Sequence, residues 1–269
     1  MDLKIEGKVA LVAGSSKGIG KAIAFGLARE GAVVVVHGRD LRKAEEVAHD
    51  IVAGGGRAHV VTGDLTEDDA VRRLVDRAQA IATPIEILVN NAGGSGASED
   101  WTTARAETWA SGYDRNTLAA VRVIRRVLPR MREGGWGRII NIASLAGMMP
   151  PATRPDYSAT KAAMVAMSAS LAKAVASERI TVNSVSPGTI LSGRLEAAFR
   201  EAATERGLAS DAPWNEVERS ALPLFAAVPM GRVGTLDEIG DAVAFLVSPR
   251  AGYITGMNLR IDGGMWPGL

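Results

Sequence analysis

Cysteine is absent from the 269-residue sequence, which excludes disulfides and thiolate metal sites. Only three histidines occur, and they are too scattered to have the spacing of metal ligands. The formal net charge is +1, and no block of like charges supplies the basic face that a nucleic acid or an anionic membrane requires. We therefore expect no metal, nucleic-acid or membrane partner.

Hydrophobic runs of membrane-spanning or signal-peptide length are also absent from the first 14 residues, MDLKIEGKVALVAG, so we expect a cytoplasmic protein. Hydrophobic residues make up 47% of the chain and charged residues 23%, which suits a folded protein and not a disordered one. No repeat, low-complexity tract or linker divides the sequence. These features predict a single domain over residues 1–269.

Seven apolar runs of strand length recur along the chain, and amphipathic segments of helical period separate them. The runs are KVALVAG, AVVVVHG, AHVVTGD, IEILVNNAG, GRIINIAS, ITVNSVSPG and MNLRIDGG. Because their Val, Ile and Leu residues are nearly continuous, both faces of each strand are expected to be buried. The pattern predicts an α/β fold with a Rossmann-like, doubly wound parallel sheet of about seven strands flanked by helices.

The least regular part of the sequence is residues 192–234, where Phe199, Trp214, Phe225 and several prolines stand among many charged residues. Such a stretch predicts a lid or substrate loop, since loops over a rigid scaffold commonly set ligand choice. Trp101 and Trp109 have two open interpretations, lining a pocket or filling the core.

The first strand runs into the glycine turn AGSSKGIG, in which Gly14, Gly18 and Gly20 precede a helix. Three glycines near a turn are often only a turn, but the strand-turn-helix context favours a nucleotide site. Glycine lets the backbone approach a ligand closely, and the free N–H groups at a helix start favour a pyrophosphate. We therefore predict a dinucleotide cofactor at this turn.

The end of the second strand, VVVVHGRD, predicts NADP(H) over NAD(H). Gly38 occupies the position where a carboxylate would hold the ribose hydroxyls of NAD, and Arg39 follows at once. Lys17, in the glycine turn, offers a second positive charge to the ribose phosphate of NADP. Two alternatives stay open: both cations are solvated, or Asp40 binds the ribose.

Further motifs follow in order: GDLTEDD, NNAG from Asn90 to Gly93, DRNTLAA, NIASLAG, PDYSATKAAM, SPGTILS and YITGMNLRIDGG. With the glycine turn they resemble the short-chain dehydrogenase/reductase (SDR) family over nearly the whole chain. Ala13 and Ser192 stand where that family usually has threonine. The resemblance implies that the cofactor is bound by Gly14, Ser16, Lys17, Gly18, Ile19, Gly20, Arg39, Asp64, Leu65, Asn91, Ala92, Gly93, Tyr157, Lys161, Pro187, Gly188, Ile190 and Ser192.

The resemblance also implies a catalytic set of Asn116, Ser144, Tyr157 and Lys161. Tyr157 would act as general acid and base, but a free tyrosine has a pKa of about 10. Lys161 is four residues on along a helix, so we predict that its ammonium lowers the pKa of Tyr157. On spacing alone the two would be a solvated pair, an alternative that the small apolar residues around them disfavour.

The other two catalytic residues also have alternatives. Ser144 is predicted to donate to a carbonyl oxygen, or else only to cap a strand end. The resemblance implies that Lys161 holds the nicotinamide ribose and that Asn116 holds a proton-relay water. For Asn116 a purely structural turn role stays open.

The activity that the resemblance implies is NADP(H)-dependent interconversion of a ketone and a secondary alcohol. The sequence is most similar to the 3-oxoacyl-thioester (acyl-carrier-protein) reductase branch, although the length of residues 192–234 weakens that assignment. The aromatic residues there, with Trp266, suggest a bulky apolar ketone as substrate. Alternatives are a noncatalytic NADP-binding sensor or assembly subunit, and a methyltransferase. The resemblance also implies a homotetramer, assembled through the helices that start near Tyr113 and Tyr157.

Overall fold

Seven parallel strands form one sheet in the computed structural model, which describes residues 2–96 and 99–268. The strands are β1 (Val9–Ala13), β2 (Val33–Gly38), β3 (Arg57–Thr62), β4 (Ile85–Asn90), β5 (Gly137–Ile142), β6 (Ile180–Pro187) and β7 (Asn258–Ile261). Their order across the sheet is β3-β2-β1-β4-β5-β6-β7. This arrangement confirms the predicted doubly wound fold.

Helices connect the strands and cover the sheet. They are α1 (Gly18–Arg29), α2 (Leu41–Ala53), α3 (Asp68–Ile81), α4 (Ala106–Tyr113), α5 (Ala119–Gly134), α6 (Pro155–Val175), α7 (Gly193–Glu205), α8 (Trp214–Phe225) and α9 (Leu236–Val247). One π-helical turn, Asp114–Leu118, joins α4 to α5. Within the two described ranges, no helix has both the length and the apolar character needed to cross a membrane.

Successive strand residues alternate between two hydrophobic layers, one on each face of the sheet. In β1, Ala10 and Val12 pack with helices α1, α2 and α9. Val9 and Leu11 point the other way and pack with α3, α5 and α6. Every residue of β1 is therefore buried, as the continuous apolar runs predicted.

The strand order reverses at β1, with β2 and β3 on one side and the remaining strands on the other. Ligands of such sheets bind outside the carboxyl ends of the strands at this point. The turns after β1 and β4 meet here, where the Asn91 Nδ2 atom donates to the Gly14 carbonyl oxygen at 2.8 Å. The candidate site is thus built between the two halves of the sheet.

Helices α1 and α9 pack with their backbones in contact because each carries a glycine where they cross. A Cβ atom on Gly26 would lie 3.2 Å from the Gly240 carbonyl oxygen. A Cβ atom on Gly240 would lie 2.9 Å from the Ala22 carbonyl oxygen, so a side chain at Gly240 would push the helices apart and one at Gly26 would be tightly crowded. The helix that follows the glycine turn is therefore held closely by α9.

Residues 192–234 contain the helices α7 and α8, which corrects the expectation of an irregular segment. Phe199 is fully buried, with its ring centroid 5.8 Å from that of Trp214 and 4.6 Å from that of Phe225. Around these rings lies a small hydrophobic cluster apart from the two sheet layers, with Ala203, Ala212, Val217, Ala221, Leu222 and Val233. The role of this segment as a lid stays a prediction.

Candidate active site

A cavity of about 1030 Å³ runs along the carboxyl edge of the sheet. This volume is at the upper end of ordinary ligand pockets, which measure about 300–1,000 Å³. It is bordered by the segments that follow strands β1 to β6. The predicted residues that line it are Gly14, Ser16, Lys17, Gly18, Ile19, Arg39, Asp64, Leu65, Asn91, Ala92, Gly93, Ser144, Tyr157, Lys161, Pro187, Gly188, Ile190 and Ser192.

Two predicted residues, Gly20 and Asn116, are not among those that line the cavity. Gly20 lies beneath the glycine turn, where a Cβ atom would collide with the Gly14 carbonyl group and the Asn91 amide. Gly14 has a φ of 72° and lies against the next turn, since a Cβ there would be 2.7 Å from the Ala92 Cα. Both glycines thus let the turns after β1 and β4 pack together.

The β2 end of the cavity carries the two predicted cations, Lys17 and Arg39. The Arg39 side chain is 79% exposed, with its Nη1 atom 4.0 Å from the Asp64 Oδ2 atom. Hydrogen bonds from Thr66 hold the pKa of the Asp64 carboxyl below its usual range. Asp40 instead caps α2 by accepting from the Lys43 backbone N–H, which disfavours the alternative that it binds the ribose.

Ser144, Tyr157 and Lys161 meet at the opposite end of the same cavity. Ser144 follows β5, and its hydroxyl accepts from the Ala146 backbone N–H at 3.2 Å. Lys161 is buried on α6, with its Nζ atom 5.7 Å from the Tyr157 ring centroid. The same Nζ atom donates to the Ile142 carbonyl oxygen at 2.7 Å. The structure thus brings together three of the four predicted catalytic residues.

Burial is the main influence on the pKa values of Tyr157 and Lys161. It raises the pKa of Tyr157, although a hydrogen bond with Ser144 and the charge of Arg154 oppose the rise. The net direction is opposite to the predicted lowering by Lys161, because the cost of a buried phenolate outweighs the nearby charges. Burial also lowers the pKa of Lys161 to about 8.

Asn116 lies in the π-helical turn between α4 and α5, and its side chain is buried. Its Oδ1 atom accepts from the Gly94 backbone N–H at 2.8 Å. Its Nδ2 atom donates to the Thr160 hydroxyl at 3.1 Å, and that hydroxyl donates to the Tyr157 carbonyl oxygen. The amide therefore joins the loop after β4 to the first turns of α6.

Residues 8–203 match the family model described as short chain dehydrogenase. The chain belongs to the short-chain dehydrogenase family. This membership confirms the resemblance drawn from the motifs and, with it, the predicted oxidoreductase class. It also removes the methyltransferase alternative.

Several members of this short-chain dehydrogenase family are similar over their full length. A 3-oxoacyl-[acyl-carrier-protein] reductase of Pseudomonas aeruginosa is 35% identical over 266 residues, which cover 98% of this chain and 99% of that protein. The solved structure of L-sorbose reductase from Gluconobacter frateurii, complexed with NADPH and L-sorbose, has a TM-score of 0.91 at 35% identity, with 100% of both chains covered. A 3-oxoacyl (acyl-carrier-protein) reductase from Agrobacterium tumefaciens with NADP bound has a TM-score of 0.85 at 33% identity, covering 98% and 96%.

Several residues that line the cavity of this short-chain dehydrogenase were not predicted. Asp114 and Arg115 directly precede Asn116, and Arg194 lies two residues beyond Ser192, so proximity to the motifs could have pointed to them. His37 directly precedes Gly38 and Arg39 and had the same signal, but its ring contacts, Gly14 and Gly63, are far away in the sequence. The other additions are Gly38, Gly63, Thr66, Gly94, Ser111, Ile142, Ala143, Gly193 and Leu236.

Of the aromatic residues singled out in the sequence, Tyr157 alone lines this cavity of the described chain. Phe199 packs against both Trp214 and Phe225, and neither these residues nor Trp266 line the cavity, so the bulky apolar ketone that they suggested stays a prediction. Trp101 and Trp109 line a second cavity of about 470 Å³ beside α6, together with Ala146, Gly147, Pro150, Pro151, Ala152, Pro155, Ser158, Ala159 and Ala162. Their ring centroids are 5.3 Å apart.

Proposed function

We propose that this short-chain dehydrogenase is an NADP(H)-dependent oxidoreductase that interconverts a ketone and a secondary alcohol. The observation that carries the proposal is that Ser144, Tyr157 and Lys161 share one cavity with the glycine turn. A nucleotide groove and a proton donor in one cavity are what hydride transfer to a carbonyl requires. The solved relatives that contain NADPH or NADP support the cofactor assignment.

The lining of the cavity fits an NADP molecule. The start of α1 would hold the pyrophosphate, and Lys17 and Arg39 would hold the ribose phosphate, with no acid at Gly38 to repel it. When bound, the nicotinamide supplies or accepts the hydride. The remaining contacts would come from Ser16, Ile19, Asp64, Leu65, Asn91, Ala92, Gly93, Pro187, Gly188, Ile190 and Ser192.

Tyr157 would supply the proton in ketone reduction. Because burial raises its pKa, the phenol keeps its proton at neutral pH and can donate it to the carbonyl oxygen. The Ser144 hydroxyl would donate a second hydrogen bond to that oxygen and stabilise its developing negative charge. In alcohol oxidation the proton moves the other way, so alkaline pH favours that direction.

Two further roles belong to this proposal. Lys161, with a pKa of about 8, is mainly protonated at pH 7 and would hold the nicotinamide ribose. Asn116 would support the proton-relay water, while its amide fixes Gly94 and Thr160.

The second candidate is a 3-oxoacyl-thioester (acyl-carrier-protein) reductase specifically. The name and the near-complete coverage of the Pseudomonas aeruginosa relative favour it. The L-sorbose reductase structure matches at the same identity, however, and its named ligand is a sugar. The proposal is therefore kept at the level of a ketone and a secondary alcohol.

Replacement of Tyr157 by Phe tests the proposed chemistry. The pure protein and Y157F would be assayed with NADPH and NADH on a short 3-oxoacyl thioester, on L-sorbose and on a panel of other ketones. We expect turnover with NADPH, and a loss of about 100-fold to 10,000-fold in Y157F with cofactor binding retained. Tyr113→Phe, on the exposed end of α4, is the matched control.

Two outcomes would reject the catalytic assignment. Unchanged ketone turnover by Y157F would show that Tyr157 is not the acid. NADPH binding by the unaltered protein without turnover of any ketone or alcohol would favour the noncatalytic sensor or assembly subunit.

The remaining expectations concern the whole chain. We propose a cytoplasmic protein with one domain, in which residues 192–234 close over the substrate. We also propose a homotetramer, which the small exposed residues Ala159, Ala162 and Ala166 on α6 support, since they leave this side of the helix without large side chains beside the exposed Trp101.

A further inference from the structure

His37, at the carboxyl end of β2, is buried and uses both of its ring nitrogens. The Gly14 backbone N–H donates to its Nδ1 atom at 3.0 Å. Its Nε2 atom lies 3.1 Å from the Gly63 carbonyl oxygen. His37, Gly14 and Gly63 all line the main cavity, so the ring links three turns of the proposed nucleotide groove.

The backbone N–H of Gly14 fixes the tautomer of this ring. Because Nδ1 accepts that hydrogen, the ring proton is on Nε2, which donates to the Gly63 carbonyl oxygen. The main chain of His37 is held as well, since its N–H donates to the Ser15 hydroxyl at 2.9 Å and its carbonyl accepts from the Ser15 N–H at 2.8 Å. Both ring nitrogens and both main-chain polar groups of His37 therefore have hydrogen-bond partners.

The charges around the ring are few. Asp64, after β3, favours the protonated ring, whereas Arg39, after β2, opposes it; the turn after β1 places the neutral Gly14 and Ser15 against it. Burial is the largest influence and lowers the pKa of His37, so the ring is neutral at pH 7. The chain has two other histidines, His49 and His59, and neither lines the cavity.

We infer that His37 is a positioning residue whose neutral ring holds the glycine turn in its binding conformation, and that a proton on Nδ1 weakens NADP(H) binding. The protonated ring would set its own N–H against that of Gly14, and the turn would lose its hydrogen bond to the ring. This inference rests on the proposed function, because it concerns the same cofactor.

The test is the dissociation constant of NADPH, measured by its fluorescence between pH 5 and 8. The ribose phosphate itself titrates near pH 6, so the informative quantity is the difference in pH dependence between proteins. We expect the dissociation constant to rise more for wild type than for His37→Asn at the acidic end of this series, since the Asn oxygen can accept from Gly14 without titrating. His37→Leu, which lacks an acceptor, should bind weakly at every pH.

His59→Asn is the matched control, because it removes a histidine from the neighbouring strand β3 and should keep the wild-type profile. Identical pH dependence of wild type and His37→Asn would overturn the inference. No NADPH binding at any pH would instead overturn the proposed function. Nitrogen NMR of the wild-type histidines gives a check that needs no variant: a His37 proton on Nδ1 at pH 7.5 would also refute the inference.

Discussion

Lys161 is a buried residue of α6, where its positive charge lies among small apolar side chains. Besides the Ile142 carbonyl oxygen, its Nζ atom approaches the Met164 sulfur at 3.4 Å. The fall of its pKa from 10.5 to about 8 measures what the charged form costs in this surrounding. At about 1.4 kcal/mol per pKa unit, that cost is roughly 3 kcal/mol.

Replacement of Lys161 by Met removes this cost but also removes the hydrogen bond to the Ile142 carbonyl oxygen, which contributes about 1 kcal/mol. We therefore expect K161M to be more stable than wild type at pH 7 by about 2 kcal/mol. Between pH 8 and 10.5 the unfolded chain binds the lysine proton and the folded chain does not. Wild-type stability should rise across this window relative to K161M, and the advantage of the variant should shrink. Urea unfolding at a series of pH values measures this difference.

Lys173→Met is the control for this prediction, because Lys173 is exposed in the last turn of the same helix. Its substitution should leave the pH dependence of stability as in wild type. If K161M is less stable than wild type at pH 7, the prediction is wrong and the buried ammonium does not destabilise the folded protein.

The shared cavity of three of the four candidate catalytic residues was predictable, but their protonation was not. The order of the motifs predicted that Ser144, Tyr157 and Lys161 would share a site. The direction of the Tyr157 pKa depends on how deeply the ring is buried, which the spacing of four residues does not specify. The hydrogen bonds of the His37 ring could not be predicted either, because its partners Gly14 and Gly63 follow two other strands, β1 and β3.

At the scale of elements, the sheet was predicted strand by strand, whereas α7 and α8 were not. The buried strands β1, β2, β4, β5 and β6 carry apolar runs rich in Val and Ile, whereas the less buried β3 and β7 were predicted from shorter runs. In residues 192–234 the helical period is obscured by charged residues and by Pro213 and Pro223, which lie just before α8 and inside it. Phe199 packs against Trp214 and Phe225, and the residue types alone did not show whether these side chains face the cavity or one another.

Phe199→Ala should loosen α7 and α8 without unfolding the sheet, because the cluster around Phe199 is separate from the two sheet layers. Loss of a fully buried phenylalanine side chain costs about 3–5 kcal/mol. Since Arg194, in the first turn of α7, lines the cavity and is not among the predicted cofactor residues, we expect the KM of the carbonyl substrate to rise severalfold. The affinity for NADPH should change by less than about threefold, and hydrogen exchange should increase in α7 and α8.

Leu224→Ala is the control in the same helix, because Leu224 is exposed and its truncation should leave both constants unchanged. Equal loss of NADPH binding and substrate binding in Phe199→Ala would contradict a separate unit at this position.

For the whole molecule, the proposed homotetramer is tested by sedimentation velocity. We expect four chains of 28.1 kDa to sediment as one species. Ala162→Glu places a carboxylate on the exposed side of α6 and should reduce the size of the assembly, because burying an unpaired charge between subunits is costly. Ala53→Glu, at the exposed end of α2, should sediment as wild type; a wild-type monomer would refute the assembly.

The glycine contact between α1 and α9 extends the nucleotide site beyond the segment that carries its motifs. The family model matches residues 8–203, yet α9 begins only at Leu236. A chain cut after residue 203 would leave the apolar face of α1, including Ile23, without its cover. The minimal folding unit that can present a rigid glycine turn therefore extends at least through α9, well past Ser192, the last of the predicted cofactor residues.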